Sequence, residues 1–174
     1  MYMQYHDEEW GVPVHGDKKL FEMLTLEGFQ AGLTWELILK RREDLKKAFS
    51  GFEPKAVANL TTADAEVILR NPAVIRNKAK ILATINNAAK FLEIQKDFGS
   101  FDKFIWQFVN GKPIAHAFRS FSEMPSQTDE SRAMSRELKK KGFKFVGPTI
   151  CYAFMQAVGM VNDHLVSCFR YAKL

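Results

Sequence analysis

The sequence predicts an all-α protein folded as a single compact helical domain. Three observations point there. Period-2 alternation of β-branched residues never persists. Apolar residues recur at helical spacing along most of the chain, and helix caps and breakers punctuate it at short intervals. A chain of 174 residues suits one domain, residues 1–174, with a core that needs no disulfide staples.

The elements follow in order. Asp17 is expected to cap a helix carrying Leu20, Phe21, Leu24 and Leu26 near one face. Thr34 caps a second, with Leu37, Ile38 and Leu45 along it. Thr61 or Thr62 opens a third, through Ala65, Val67, Ile68 and Leu69, and Asn71-Pro72 breaks it. A long helix starts at Asn77 and runs past Ile94. Gly99-Ser100 leads into Phe101, Phe104, Ile105 and Phe108, and Asn110-Gly111 makes a turn. Between Lys112 and Thr128 the pattern fails. Helix resumes over Ser131–Lys141, stops at Gly142, restarts at Pro148 and runs to Gly159. A last short helix is expected to hold His164 and Cys168.

Composition narrows the function classes. With 47% hydrophobic and 26% charged residues, the chain is neither disordered nor a membrane protein by composition. Its most apolar stretch, Thr149–Val161, is too short to cross a bilayer and is interrupted by Gln156. A net charge of +5 favours an anionic partner, nucleic acid first. Two cysteines, Cys151 and Cys168, exclude a disulfide-dense secreted scaffold. No secretory leader pattern opens the chain, so a cytoplasmic monomer is expected.

Three constellations could carry chemistry. Lys139-Lys140-Lys141-Gly142-Phe143-Lys144-Phe145-Val146-Gly147-Pro148-Thr149 reads as helix, hairpin, helix. The free amides after Gly147 and the dipole of the new helix suit a phosphate, with lysines adding charge. DNA-backbone contact through Lys144, Gly147 and Thr149 is one reading; a plain αα-turn with solvated lysines is the other. His164 and Cys168, four apart, would share a helical face as zinc ligands, with His6 a distant third candidate. A hydrogen-bonded core histidine beside an apolar cysteine fits those residues as well. Finally, Glu27 lies in an apolar stretch near Trp35, with Tyr2, Tyr5 and Trp10 upstream. A carboxylate among aromatics would suit a flat cationic ring, although core tryptophans and a locally paired acid explain the composition better.

Taken together, these segments resemble the DNA-3-methyladenine glycosylase I family of the helix-hairpin-helix glycosylases. The resemblance spans essentially the whole chain. It rests on Tyr5-His6-Asp7-Glu8-Glu9-Trp10-Gly11-Val12-Pro13, Leu26-Glu27-Gly28 through Thr34-Trp35, Lys141 through Gly147, and Val161-Asn162-Asp163-His164 with Cys168. It implies an all-α fold with a helix-hairpin-helix DNA-binding element and excision of 3-methyladenine from alkylated double-stranded DNA. Glu27 matches the base-recognising, catalytic glutamate, Trp35 and Tyr5 match the stacking residues, and Tyr2 and Trp10 match further pocket positions. His6, His164 and Cys168 match three ligands of a structural zinc joining the two ends of the chain.

Two departures are visible. Family members usually carry an upstream segment with a Cys and a Trp, so the zinc is expected to be weak or absent here and one pocket wall thinner. Phe29 stands where a polar residue is commoner. The superfamily's aspartate base is matched best by Asn162, which carries no charge, so general-base catalysis is not expected. Two rival readings stand beside this one. A non-catalytic helix-hairpin-helix DNA-binding protein would have no use for a buried Glu27, and a zinc hydrolase would need an open metal position.

Overall fold

The structure is a computed structural model that describes residues 1–173. Among these residues, nine α-helices in chain order make up the body: α1 Tyr2–Glu8, α2 Asp17–Gln30, α3 Trp35–Ala48, α4 Pro54–Ala58, α5 Thr62–Arg70, α6 Lys78–Phe98, α7 Phe101–Trp106, α8 Asp129–Lys140 and α9 Pro148–Ala157. Among the described residues, no helix is long and apolar enough to cross a membrane. One small exception to the all-helical pattern exists. Ile114–Ala115 (β1) pairs in parallel with Val161–Asn162 (β2), drawing the irregular stretch after α7 onto the chain end beyond α9. Two-residue strands are too short to leave an alternating pattern, so the sequence did not show them.

The caps place the helices. Thr34 accepts the amide of Leu37, and Thr61 forms a reciprocal capping box with Asp64. Asn77 and Ser100 cap α6 and α7. Asp17 does something other than expected. Gly16 is the N-cap of α2, and the Asp17 carboxylate accepts the amides of Phe101 and Asp102, 2.9 Å each, with Gln95 Nε2 at 2.6 Å. It therefore satisfies the free donors of α7's first turn from another helix. α1 and α4 carry no clear amphipathic signal in the sequence, being only one to two turns long.

At the centre lies α2, where every residue from Leu20 to Phe29 is buried except Glu22 and Gly28, which are half-buried. A helix apolar nearly all round belongs inside. It packs against α3, α6, α7 and α9. Phe29 points into this core, beside Phe49 with ring centroids 5.8 Å apart, which explains an apolar residue at that position. Aromatic contacts tie the body together: Phe21 meets Phe91 edge-on, Phe91 stacks on Phe101, and Phe101 lies tilted against Phe143. α8 and α9 pack against each other, and Gly142, with φ +90°, turns the chain between them.

The segment after α1 lies against the end of α9. Gly11 donates to Gln156 O and Val14 to Val158 O. Gly159, at φ +69°, makes this approach possible, because a Cβ there would meet Pro13 N, Gly11 O and Val12 C at 2.4–2.5 Å. We expect Gly159→Ala to destabilise the protein by about 3 kcal/mol or more, since backbone cannot yield as a side chain can. Chemical denaturation would measure it, and a change within about 0.5 kcal/mol would contradict that packing.

Candidate active site

Glu27 sits on the last full turn of α2 and is only 4% exposed. Packing of α2 on nearly every side leaves this side chain facing only the cavity it lines. Burial alone lifts its carboxyl to about 8 from an ordinary 4.5, and no donor among the described residues offsets it. The end of α2 is fixed by a buried lysine on α6: Lys80 Nζ donates to Phe29 O at 2.7 Å and Ala31 O at 2.6 Å. Gly32, at φ +77°, then reverses the chain, and Gln30 Nε2 ties the turn to Leu33 O. Thr34 starts α3 at once, so Trp35 returns to the same side as Glu27.

α1 supplies the opposite wall. Tyr5 is buried, and its ring lies 5.3 Å from that of Trp35, tilted by 51°. Burial, helped by the nearby Glu27, pushes the Tyr5 hydroxyl well above its usual range, so it stays neutral. Around these groups opens a cavity of about 540 Å³, which Tyr2, Trp10, Gln30 and Gln156 also line. Phe121 and Met124, from the irregular stretch after β1, complete its rim. Nothing in the sequence pattern singled out those two, since a loop residue carries no periodicity to read.

α1 is clamped by charge as well as by packing. Arg42 on α3 grips Glu9 through two bonds, 2.6 and 2.8 Å, and holds Glu22 with its Nε at 2.7 Å; Lys19 adds a third bond to Glu9 at 2.6 Å. These donors hold the Glu9 carboxyl down at about 2 despite partial burial.

The metal candidates meet at the mouth. His6, His164 and Cys168 bring their ligand atoms within 4.8 Å of one another, and His6 Nε2 lies 3.7 Å from Cys168 Sγ. They do so without the expected last helix: beyond β2 the chain is irregular through Arg170. The convergence comes from β2 and the following turn rather than from an i, i+4 face. Asn162 Oδ1 accepts from both the backbone N–H and Nδ1 of His164, leaving Nε2 buried and unpaired. An orphaned imidazole nitrogen beside a second imidazole and a thiol fits zinc, and fixing the other ring nitrogen is what a metal-binding histidine needs. Trp10 packs edge-on against His164, with centroids 4.6 Å apart, so it braces the clasp as well as the cavity.

Of the four buried side-chain polar atoms left unpaired among the described residues, three belong to Tyr5, Trp35 and His164. Native interiors rarely tolerate such atoms, and their gathering marks a place built for something else to bind. By contrast, Asp163 is fully engaged. It accepts from Tyr152 Oη, Gln156 Nε2 and His116 Nδ1 at 2.5, 2.7 and 2.6 Å. Asn162 is spent on His164 and on Tyr171 O. Neither is arranged as a free base.

A cavity of about 540 Å³ has room for one flat heterocycle and not for a duplex, which suits a helical protein that acts on single flipped nucleobases. The comparisons with known proteins agree. The family profile described as methyladenine glycosylase matches residues 1–171, and the chain belongs to that family. It is 48% identical over 171 residues to DNA-3-methyladenine glycosylase 1 of Escherichia coli K12, covering 98% of this chain and 91% of that protein. It is 46% identical over 168 residues to the Haemophilus influenzae DNA-3-methyladenine glycosylase, covering 97% and 91%. A crystal structure of a 3-methyladenine DNA glycosylase I superposes with a TM-score of 0.95 at 48% identity, covering 97% of this chain and 92% of that one. The Staphylococcus aureus enzyme, solved to explain 3-methyladenine recognition, does so with 0.95 at 38% identity, covering 98% and 90%.

The raised Glu27 carboxyl has a consequence for stability. The folded state holds this proton more tightly than the unfolded chain does. Its contribution is therefore intact below about 4.5 and declines as pH rises towards about 8. We expect Glu27→Gln to remove that decline and to stabilise the protein at pH 7 by roughly 3 kcal/mol. Melting temperatures of both proteins between pH 5 and 8 would measure it; parallel curves would refute a dry, unpaired Glu27.

Proposed function

We propose that this protein hydrolyses the N-glycosidic bond of 3-methyladenine in alkylated double-stranded DNA, taking the flipped base into the Glu27 cavity. The observation that carries the reading is the partnerless Glu27 carboxyl at the base of an aromatic cavity. Methylation at N3 makes adenine cationic, hence already a good leaving group. A site that binds the departing base better as the bond breaks then supplies much of the remaining acceleration. Tyr5 and Trp35 provide aromatic faces for the ring. Glu27 accepts from the exocyclic amino group, where guanine presents an oxygen acceptor instead. Water attacks the oxocarbenium-like sugar without strong base assistance, consistent with Asp163 and Asn162 being committed elsewhere.

The α8–α9 hairpin is the proposed phosphate contact. Lys144 and Thr149 are exposed, and space is open around Gly147, where an added Cβ would touch no protein atom within 4 Å. That leaves its backbone free to approach a phosphate. A non-catalytic DNA-binding protein would account for the hairpin but not for the cavity.

The deciding experiment is incubation with methylated DNA and identification of the released bases. We expect 3-methyladenine, with little or no 7-methylguanine, and a loss of at least about tenfold in release for Glu27→Ala. Undiminished release by that variant would remove Glu27 from the mechanism.

We also propose that His6, His164 and Cys168 hold a structural zinc weakly, since three protein ligands leave the fourth tetrahedral position to another donor. The zinc would hold α1 against the chain end after β2, and so hold Tyr5 over the cavity. Chelation is expected to expose residues 1–8 to proteolysis while helical circular dichroism persists, because the Arg42 clamp anchors the chain from Glu9 onward. Metal analysis with a Cys168→Ser control would test this; equal zinc in both proteins would exclude the assignment.

A further inference from the structure

The hairpin is not self-supporting. Between α8 and α9 the chain passes through Lys144, Phe145 and Val146, and Phe145 has φ +53°, a left-handed conformation unfavourable for an aromatic residue. Loops hold such residues only when their neighbours are pinned. Both neighbours of Phe145 are. On one side, Ser135 Oγ of α8 donates to Val146 O at 2.6 Å. On the other, the Asn87 side chain, from the middle of α6, makes two bonds to one residue. Its Oδ1 accepts from Lys144 N at 2.8 Å, and its Nδ2 donates to Lys144 O at 2.9 Å. Asn86 Nδ2 supports this from behind, donating to Asn87 Oδ1 at 3.2 Å and to Gly142 O at 2.9 Å.

Asn87 thus treats Lys144 as a neighbouring strand would, pairing its N–H and C=O together. A primary amide can do this because it carries a donor and an acceptor side by side. The site lies well along the sequence from the hairpin and bears no charge, so nothing in the hairpin motif points to it. Its position is also close to the pocket: Gly28, the residue after Glu27, faces Phe145, and a Cβ at Gly28 would sit 3.6 Å from that of Phe145.

We infer that Asn87 is a positioning residue for DNA engagement: its amide fixes the Lys144 backbone so that the Lys144 side chain and the amides after Gly147 meet the phosphates together. This rests on the hairpin being the phosphate contact. In this role the Asn87 amide is spent on the Lys144 backbone and is not itself a phosphate contact. Losing it therefore changes how well the contact surface is preformed, not how many charges are neutralised.

That distinction can be measured on the intact chain of 174 residues. The probes are a fluorescein-labelled undamaged duplex, read by anisotropy over a salt series, and free 3-methyladenine, read by tryptophan fluorescence. Asn87→Ala is the main variant, since alanine is the better helix former and α6 should persist. It should bind the duplex about tenfold more weakly with an unchanged salt slope, the loss of two modest hydrogen bonds. Its free-base affinity should equal that of the parent protein, and on methylated DNA KM should rise with kcat little altered. Lys144→Ala, by contrast, should lower the salt slope by about one. Asn87→Gln, whose neutral amide sits one methylene further out, should fall between Asn87→Ala and the parent.

The inference is overturned if Asn87→Ala binds the duplex normally while Lys144→Ala does not. It is equally overturned if free-base affinity falls along with duplex affinity, or if the salt slope of Asn87→Ala drops like that of Lys144→Ala. If both variants bind the duplex normally, the hairpin is not the phosphate contact, and the proposed DNA interface fails together with this role.

Discussion

A buried acid group with no hydrogen-bond partner among the described residues is the constraint around which this molecule is organised. Glu27 cannot be left exposed, because α2 runs through the centre of the protein and is covered on nearly every side. It cannot easily be ionised either, because no donor reaches it. Such a group lowers stability, and the surrounding structure offsets this with a large aromatic core and a set of tightly bonded helix ends. Asp17 capping α7 and Lys80 sealing α2 are two of these. The cavity then offers what Glu27 lacks only when a ligand brings donors or positive charge.

The walls of that cavity come from opposite ends of the chain, which explains the amount of structure spent on tethering α1. Glu9 is gripped by Arg42 and Lys19, the next residues bond to the end of α9, and Gly159 is bare to let them in. The His6, His164 and Cys168 group closes the same gap from the other side. Each tether acts on a different residue of the segment, so α1 has no freedom to slide across the cavity without breaking several bonds. The hairpin follows the same logic at a second place, with Asn87, Asn86 and Ser135 holding backbone that would not keep its conformation alone.

Much of this was legible in the sequence. Helical periodicity and caps such as Thr34, Asn77 and Ser100 are local, governed by residues within one turn, so they can be read without knowing the fold. The motifs around Glu27, Trp35, His6, His164 and Cys168 were identifiable through the family resemblance, since composition alone did not distinguish them from core and locally paired residues. The expected helix around His164 and Cys168 shows where such reading ends. Four-residue spacing suggested a shared helical face, yet an irregular turn presents both side chains instead.

What only the tertiary structure decided are the partnerships between residues distant in the chain. Asp17 serves α7 rather than its own helix, Arg42 holds Glu9, Asn87 holds Lys144, and Phe121 and Met124 edge the cavity. Asn162 and Asp163 stand side by side in the sequence, but one orients His164 while the other is locked to Tyr152, Gln156 and His116. The sequence alone determined the class of fold, the acid at its centre and the aromatic company it keeps. It could not determine which polar groups remain free, because that depends on which donors and acceptors packing brings within about 3 Å of one another.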